Sequence, residues 1–153
     1  MKYKRIEKSD AYFLTEIFNT PEYELYFAEN ETTEEDWIAR MDFFADKESF
    51  IVYDNGNPIG WLMYEIKDFI CKLDLIVLLE SARHKGYGKV ILQDLQDLMK
   101  KKTAIKSITL DVQKRNRAAI HFYEKIGFSI VGEELQPAGD GQEEYYNMRL
   151  SIV

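Results

Sequence analysis

One cysteine, three prolines and two histidines are all that 153 residues contain of those types, and no long uncharged apolar run occurs. A lone cysteine, Cys71, excludes an internal disulfide and a cysteine-rich zinc site. His84 and His121 show no ligand spacing with each other or with the acids, so no metal site is expected. No stretch approaches the roughly 18 apolar residues that cross a bilayer, so no membrane partner is expected. The opening Met1-Lys2-Tyr3-Lys4-Arg5-Ile6-Glu7 has no apolar segment after its charges, which is not a secretory pattern, and a cytoplasmic location is the expectation. Repeats, low-complexity tracts and linkers are also missing. The whole of 1–153 therefore reads as a single domain.

The residues that are present balance as in a globular protein, with 46% hydrophobic and 31% charged. Basic residues number 20 against 27 acids, a formal net charge of -7, which argues against a general nucleic-acid binder. The excess is local. From Glu22 to Asp36 stand Glu22, Glu24, Glu29, Glu31, Glu34, Glu35 and Asp36 with no Lys or Arg, while Arg83 to Lys125 is predominantly basic.

Local patterning predicts the element order β-α-α-β-β-β-α-β-α-β-β. Residues 2–8 form a first strand, and Ser9-Asp10 offers an N-cap for a helix over 11–19 closed by Pro21. Thr32 or Thr33 caps the next helix, whose stripe is Trp37, Ile38, Met41, Phe44 and Ala45. Asp54-Asn55-Gly56-Asn57-Pro58 turns a hairpin between strands 50–53 and 59–66. A long apolar strand spans Cys71 to Leu79, interrupted by Asp74. A helix spans Gly88 to Lys101 with Ile91, Leu95, Leu98 and Met99 inward. Then follow a strand over 107–112, a helix from Asn116 to Ile126 closed by Gly127, a strand over 128–135 and a last one over 143–152. Crossovers require some parallel pairing and the hairpins require antiparallel pairing. The expected fold is a mixed α/β one: a mostly antiparallel sheet with helices on both faces.

Arg83-His84-Lys85-Gly86-Tyr87-Gly88 joins a strand to a helix. Its glycines let backbone approach a ligand, the helix start directs free N–H groups at it, and Arg83, Lys85 and Lys89 add positive charge. That combination suits a phosphate ester, though a plain tight turn also explains two glycines. A Walker loop would need Gly at 83 and Ser or Thr at 90, where Arg83 and Val90 stand, and a dinucleotide fingerprint would need Gly at Ile91. After the next strand comes Asn116-Arg117-Ala118-Ala119-Ile120-His121-Phe122-Tyr123-Glu124-Lys125-Ile126-Gly127-Phe128.

Together these segments resemble the GCN5-related N-acetyltransferase (GNAT) family, known for Arg/Gln-x-x-Gly-x-Gly/Ala followed by Asn-x-x-Ala-x-x-x-Tyr-x-x-x-Gly-Phe. The resemblance covers the chain in element order and is close over residues 73–128. It implies acetyl-coenzyme A as the acetyl donor, with coenzyme A as product. By the same resemblance Ile76, Val77 and Leu78 contact the pantetheine, the loop Arg83, His84, Lys85, Gly86, Tyr87 and Gly88 holds the pyrophosphate, and Asn116 contacts the coenzyme arm. Tyr123 matches the residue that protonates the departing thiolate. The family often has a proline or polar turn residue shortly after the coenzyme-binding strand, where this chain has Leu79-Glu80-Ser81.

The chemistry implied is direct transfer to a primary amine in a ternary complex, because nothing near Cys71 would activate it as a nucleophile. Asp111 is the candidate base for the amine's proton, matching a catalytic Glu in some members, with Asp74 behind it. The acceptor end is expected to draw on Tyr23, Tyr26 and Phe27 within the acidic run and on Tyr145 beside Glu133, Glu134, Asp140, Glu143 and Glu144. An acidic, aromatic-walled cleft of that kind selects a cationic small-molecule or peptide amine: a polyamine, an aminosugar or a basic peptide. Solvated acidic faces explain the same residues. An alternative class is a non-catalytic acetyl-coenzyme A sensor or regulatory module. Many members of the family are dimers, so a homodimer is compatible with the resemblance.

Overall fold

The computed structural model describes residues 1–20 and 32–152. Among the described residues the strands are β1 (Lys2–Arg5), β2 (Glu48–Asp54), β3 (Asn57–Lys67), β4 (Ile70–Leu78), β5 (Ser107–Gln113), β6 (Ser129–Ala138) and β7 (Gly141–Ser151). Among the described residues the α-helices are α1 (Ala11–Phe18), α2 (Glu34–Met41), α3 (Tyr87–Lys101) and α4 (Arg117–Ile126). The strands form one sheet in the order β1-β2-β3-β4-β5-β7-β6, in which β4 and β5 are parallel and the pairs β1–β2, β2–β3, β5–β7 and β6–β7 antiparallel. Element order and mixed sheet are those expected from the sequence. No described helix is long and apolar enough to cross a membrane.

The chain divides into two compact units, residues 1–65 with 75–91, and residues 66–74 with 92–152. In the first, Phe13, Leu14 and Ile17 of α1 and Trp37 and Met41 of α2 pack with Ile51, Trp61, Met63 and Val77. Trp61 is the hub: Trp37 meets it edge-on at 5.6 Å between ring centroids and Phe44 at 5.5 Å. Both indoles carry a polar N–H into this core, and both are satisfied, Trp61 Nε1 donating to Ser49 Oγ at 2.7 Å and Trp37 Nε1 to Thr32 Oγ1 at 2.9 Å.

Thr33 is the cap of α2, its hydroxyl accepting from Asp36 N while Asp36 Oδ2 accepts from Thr33 N. Thr32, the other candidate, is committed to Trp37 and to Asn19, whose amide bonds both its N–H and its carbonyl at 2.8 Å. Two expectations need correction here. Asp10 does not cap α1; its carboxylate accepts from Glu7 N at 2.8 Å and closes a short 3-10 turn over Lys8–Asp10. The helix of Trp37 ends at Met41, so Phe44 and Ala45 follow it in a turn. The expected helix stop at Pro21 lies outside the described residues.

The second unit has its own core: Leu92, Leu95 and Met99 of α3 with Cys71, Leu73, Ile108, Leu110, Val112, Phe128 and Met148. Leu98, expected inward, is 40% exposed, and Leu92 is fully buried in its place. At about 100° per residue, positions 91, 92, 95 and 99 span one arc of about 100°, and 98 falls about 20° beyond its edge. Asn116 caps α4 by accepting from Ala119 N at 3.3 Å, and Gly127 ends it at φ 118°, a left-handed conformation that glycine adopts freely.

Candidate active site

In the first unit, β4 ends at Leu78, a 3-10 turn spans Glu80–Ala82, and α3 starts at Tyr87. Between them the backbone turns through the left-handed region twice, at His84 (φ 60°) and Gly86 (φ 84°). A non-glycine residue at positive φ costs free energy, so such a loop persists where its neighbours hold it. The Gly86 carbonyl accepts from Val90 N, which makes Gly86 the start of a 15-residue helix whose first N–H groups have no partners within the helix. His84, Lys85 and Gly86 are exposed, and nothing lies within 4 Å of where a Gly86 side chain would begin. The result is an exposed stretch of backbone at the positive end of a helix dipole, with Lys85 and Lys89 close by in sequence. Arg83 is half-buried and turned back, its Nε donating to Leu78 O at 3.3 Å.

Val77 is buried and Ile76 and Leu78 half-buried. The register of the parallel β4–β5 pair covers Ile70–Lys72 and Ser107–Thr109, so Ile76–Leu78 lie beyond it on β4. A hollow of about 450 Å³ in the same unit is lined by Glu16, Thr20, Leu79, Glu80 and Ser81. Its two carboxylates lie on α1 and directly after β4, and α1 has no basic residue in its last turn.

In the second unit, Tyr123 is half-buried on α4 against Phe122 and Phe128, with ring centroids 5.3 and 5.5 Å away. Desolvation pushes its phenol up to about 12. Asp111 lies on β5 in a polar cluster that sequence reasoning did not foresee. Its Oδ1 accepts from Asn147 Nδ2 at 2.8 Å, and its Oδ2 from Gln136 Nε2 at 3.3 Å with Lys72 Nζ at 3.4 Å. Both amides also donate to Glu134 Oε1. The pairings Asp111↔Asn147 and Gly132↔Asn147 bring these strands into register, and Gly132 leaves room for the amide, since a Cβ there would lie 2.9 Å from Asn147 Oδ1.

Among the described acids of the expected cleft, several have other partners. Glu34, Glu35 and Asp36 occupy the first turn of α2, where they complement the helix dipole. Glu133 pairs with Lys114 and Glu143 with Arg115. Tyr145 is half-buried near Gln113, while Tyr23, Tyr26 and Phe27, with Glu22, Glu24, Glu29 and Glu31, lie outside the described residues.

Cys71 is completely buried, and burial with the nearby Asp74 charge pushes its thiol up to about 12. It is a core residue without nucleophilic character. Native protein should show no thiol accessible to Ellman's reagent and one after unfolding in guanidinium; rapid native labelling would overturn this reading.

Residues 11–128 match the model of the acetyltransferase (GNAT) family. The chain is similar to the uncharacterized N-acetyltransferase YjcF of Bacillus subtilis, 26% identical over 125 residues, covering 82% of this chain and 80% of the relative. It is also 26% identical over 106 residues to the ribosomal protein bS18-alanine N-acetyltransferase of Escherichia coli, covering 68% of this chain and 71% of that one. In fold it is similar to the spermidine N-acetyltransferase of Vibrio cholerae, solved with CoA and spermine, at a TM-score of 0.80 and 19% identity, covering 99% of this chain and 95% of that one. The glycine loop, the Asn116–Tyr123–Gly127 helix and the match over three quarters of its length establish that the chain belongs to the acetyltransferase (GNAT) family and is an N-acetyltransferase.

Proposed function

We propose that the two units make up one acetyl-coenzyme A-dependent domain that acetylates a cationic primary amine by direct transfer. The observation that carries the coenzyme assignment is the loop over 83–88, exposed at His84–Gly86, twice left-handed and opening a long helix. Its N–H groups with Lys85 and Lys89 hold the pyrophosphate, and the backbone of Ile76–Leu78 binds the pantetheine. Arg83 contributes by bracing the loop against Leu78 O. Asn116 stands where the family contacts the coenzyme arm, and here it also caps α4. Acetyl-coenzyme A, when bound, supplies an acetyl group activated as a thioester.

The remaining steps belong to the chain's own side chains. The Tyr123 hydroxyl keeps its proton at neutral pH and donates it to sulfur as the C–S bond breaks. Asp111 receives the amine's proton. A carboxylate offers about four acceptor sites, and Lys72, Gln136 and Asn147 engage three of them, leaving capacity for the amine. Polyamines, aminosugars and basic peptides carry positive charge of the kind that carboxylates such as Glu16 and Glu80 of the first unit attract. The spermidine enzyme similar in fold and the relative acting on a ribosomal protein are consistent with small or peptide amines.

The test is thiol release from acetyl-coenzyme A across polyamines, aminoglycosides, neutral amino acids and basic peptides. Turnover is expected with a cationic class, falling as salt rises, and Asp111→Asn is expected to lower kcat about tenfold or more. A rate confined to neutral or acidic amines would sink the electrostatic reading, and an unchanged Asp111→Asn rate would remove the base.

A further inference from the structure

The hairpin β2–β3 meets the phosphate loop at both of its ends. At the entrance, Leu79 N donates to Ile59 O at 2.8 Å. One residue along β3, Gly60 presses against Val77 and Leu78 so closely that a Cβ would lie 2.5 Å from Val77 O. At the exit, Tyr87, the first residue of α3, donates its hydroxyl to Asp54 Oδ2 at 2.7 Å. Asp54 ends β2 and pairs with Asn57 across the hairpin turn, where Asn55 and Gly56 both take positive φ. The hairpin turn is therefore a compact, locally determined platform. Both Asp54 and Tyr87 are half-buried, and the carboxylate raises the Tyr87 phenol's pKa above its ordinary range, as a short charge-assisted bond does.

The segment between these anchors contains the two left-handed residues, His84 and Gly86, and three exposed residues in a row. A loop so open has little packing of its own to hold that backbone. Its donors can be pre-aimed only if its ends are fixed, and pre-aimed donors bind an anion more tightly than donors that must be ordered on binding. A carboxylate near an anion site would by itself repel the ligand, and donation from Tyr87 stabilises the charge where it stands.

We propose that Asp54 is a positioning residue for coenzyme binding, acting through Tyr87 to hold the phosphate loop in its binding shape. The inference rests on the loop being the pyrophosphate site. It reaches further, because Asp54 lies outside both family motifs and does not belong to the loop.

The experiment is calorimetric titration of the full chain with coenzyme A, together with steady-state kinetics. Asp54→Ala is expected to weaken coenzyme A binding and raise the acetyl-coenzyme A KM about tenfold, the equivalent of one charge-assisted hydrogen bond. The acceptor KM and the kcat at saturating coenzyme should stay within about twofold, since those steps need no reordered loop. Asp54→Asn, which keeps an acceptor oxygen, should recover part of the loss. In the double variant with Tyr87→Phe the two losses should not add, because both remove the same bond. An unchanged coenzyme affinity in Asp54→Ala would overturn the proposal, as would a uniform fall in every kinetic constant with a lowered Tm, which marks a merely structural bond. Wild-type protein that fails to bind coenzyme A, or whose binding survives Lys85→Glu, would instead overturn the loop assignment and the proposal with it.

Discussion

Tyr123→Phe is expected to lower kcat about a hundredfold while leaving coenzyme A affinity within about twofold, the lower end of what a positioned general acid contributes. The ring is retained, so its contacts with Phe122 and Phe128 survive and stability should hardly change. What is lost is one proton. A free thiol has a pKa near 8.5 in water, whereas the Tyr123 phenol stands at about 12. Transfer between those two values alone would run uphill. In the proposed transfer desolvation acts on both anions, so sulfur would gain basicity in the same surroundings that keep the phenol neutral.

Two further outcomes follow from the sign of the shift. The active form is the protonated one, and a raised pKa extends it upward, so Tyr123 should impose no basic limb on the kcat profile below about pH 11. An acetyl donor with a more acidic thiol needs less protonation as it leaves, so Tyr123→Phe should recover much of its rate with such a thioester. Normal turnover of the variant with acetyl-coenzyme A would strip Tyr123 of this role. An equal loss with both donors would point to a distorted site.

The second large effect concerns stability. Gly60→Ala should lower it by about 3 kcal/mol, the upper part of the range for overpacking a filled core, and reduce Tm by about 9 °C for a chain of this size. Gly60 has an ordinary strand conformation, so backbone strain plays no part. The cause is space: the added Cβ would lie 2.5 Å from Val77 O and 2.8 Å from Leu78 Cδ2. The leucine can rotate away, but the carbonyl belongs to a strand. To make room, β4 must move at Val77 and Leu78, where the pantetheine is proposed to bind, so coenzyme affinity should fall as well.

Gly56 makes the informative comparison. It sits in the hairpin turn at φ 80° with nothing within 4 Å of a new Cβ. Gly56→Ala meets only left-handed strain, about 1 kcal/mol, and should lower Tm about a third as far. Thermal unfolding of both variants decides the matter. If Gly60→Ala melts within about 2 °C of wild type, the close approach of β3 to β4 is not a tight contact.

The features legible in the sequence share a property: each is set by residues a few positions apart. Thr33 and Asp36 close a capping box, Asn116 reaches Ala119, Gly127 ends α4, and Asn55-Gly56 turns a hairpin whatever surrounds them. The glycines and helix start between Arg83 and Gly88 are local signals too, but the shape of that loop also depends on Leu79 and Tyr87 being anchored to the β2–β3 hairpin. Errors arose where two local solutions competed. Asp10 could cap a helix or close a turn on Glu7, and a 3.6-residue repeat left Leu92 and Leu98 both near the edge of the buried face.

Tertiary structure alone decided what long-range pairing controls. Asp111 meets Lys72, Gln136 and Asn147 because strand register places them side by side across gaps of 25 to 39 residues, and no local pattern encodes that choice. Glu133 pairs with Lys114 and Glu143 with Arg115, partners that their spacing in the sequence does not announce. Asp54 was one residue of a turn until Tyr87, 33 positions away, was found on its carboxylate. Sequence by itself determined the elements and the family, because those rest on local conformation and on motifs. Which charges are spent on one another, and which are left to face a ligand, follows from strand register, and only the folded chain contains that information.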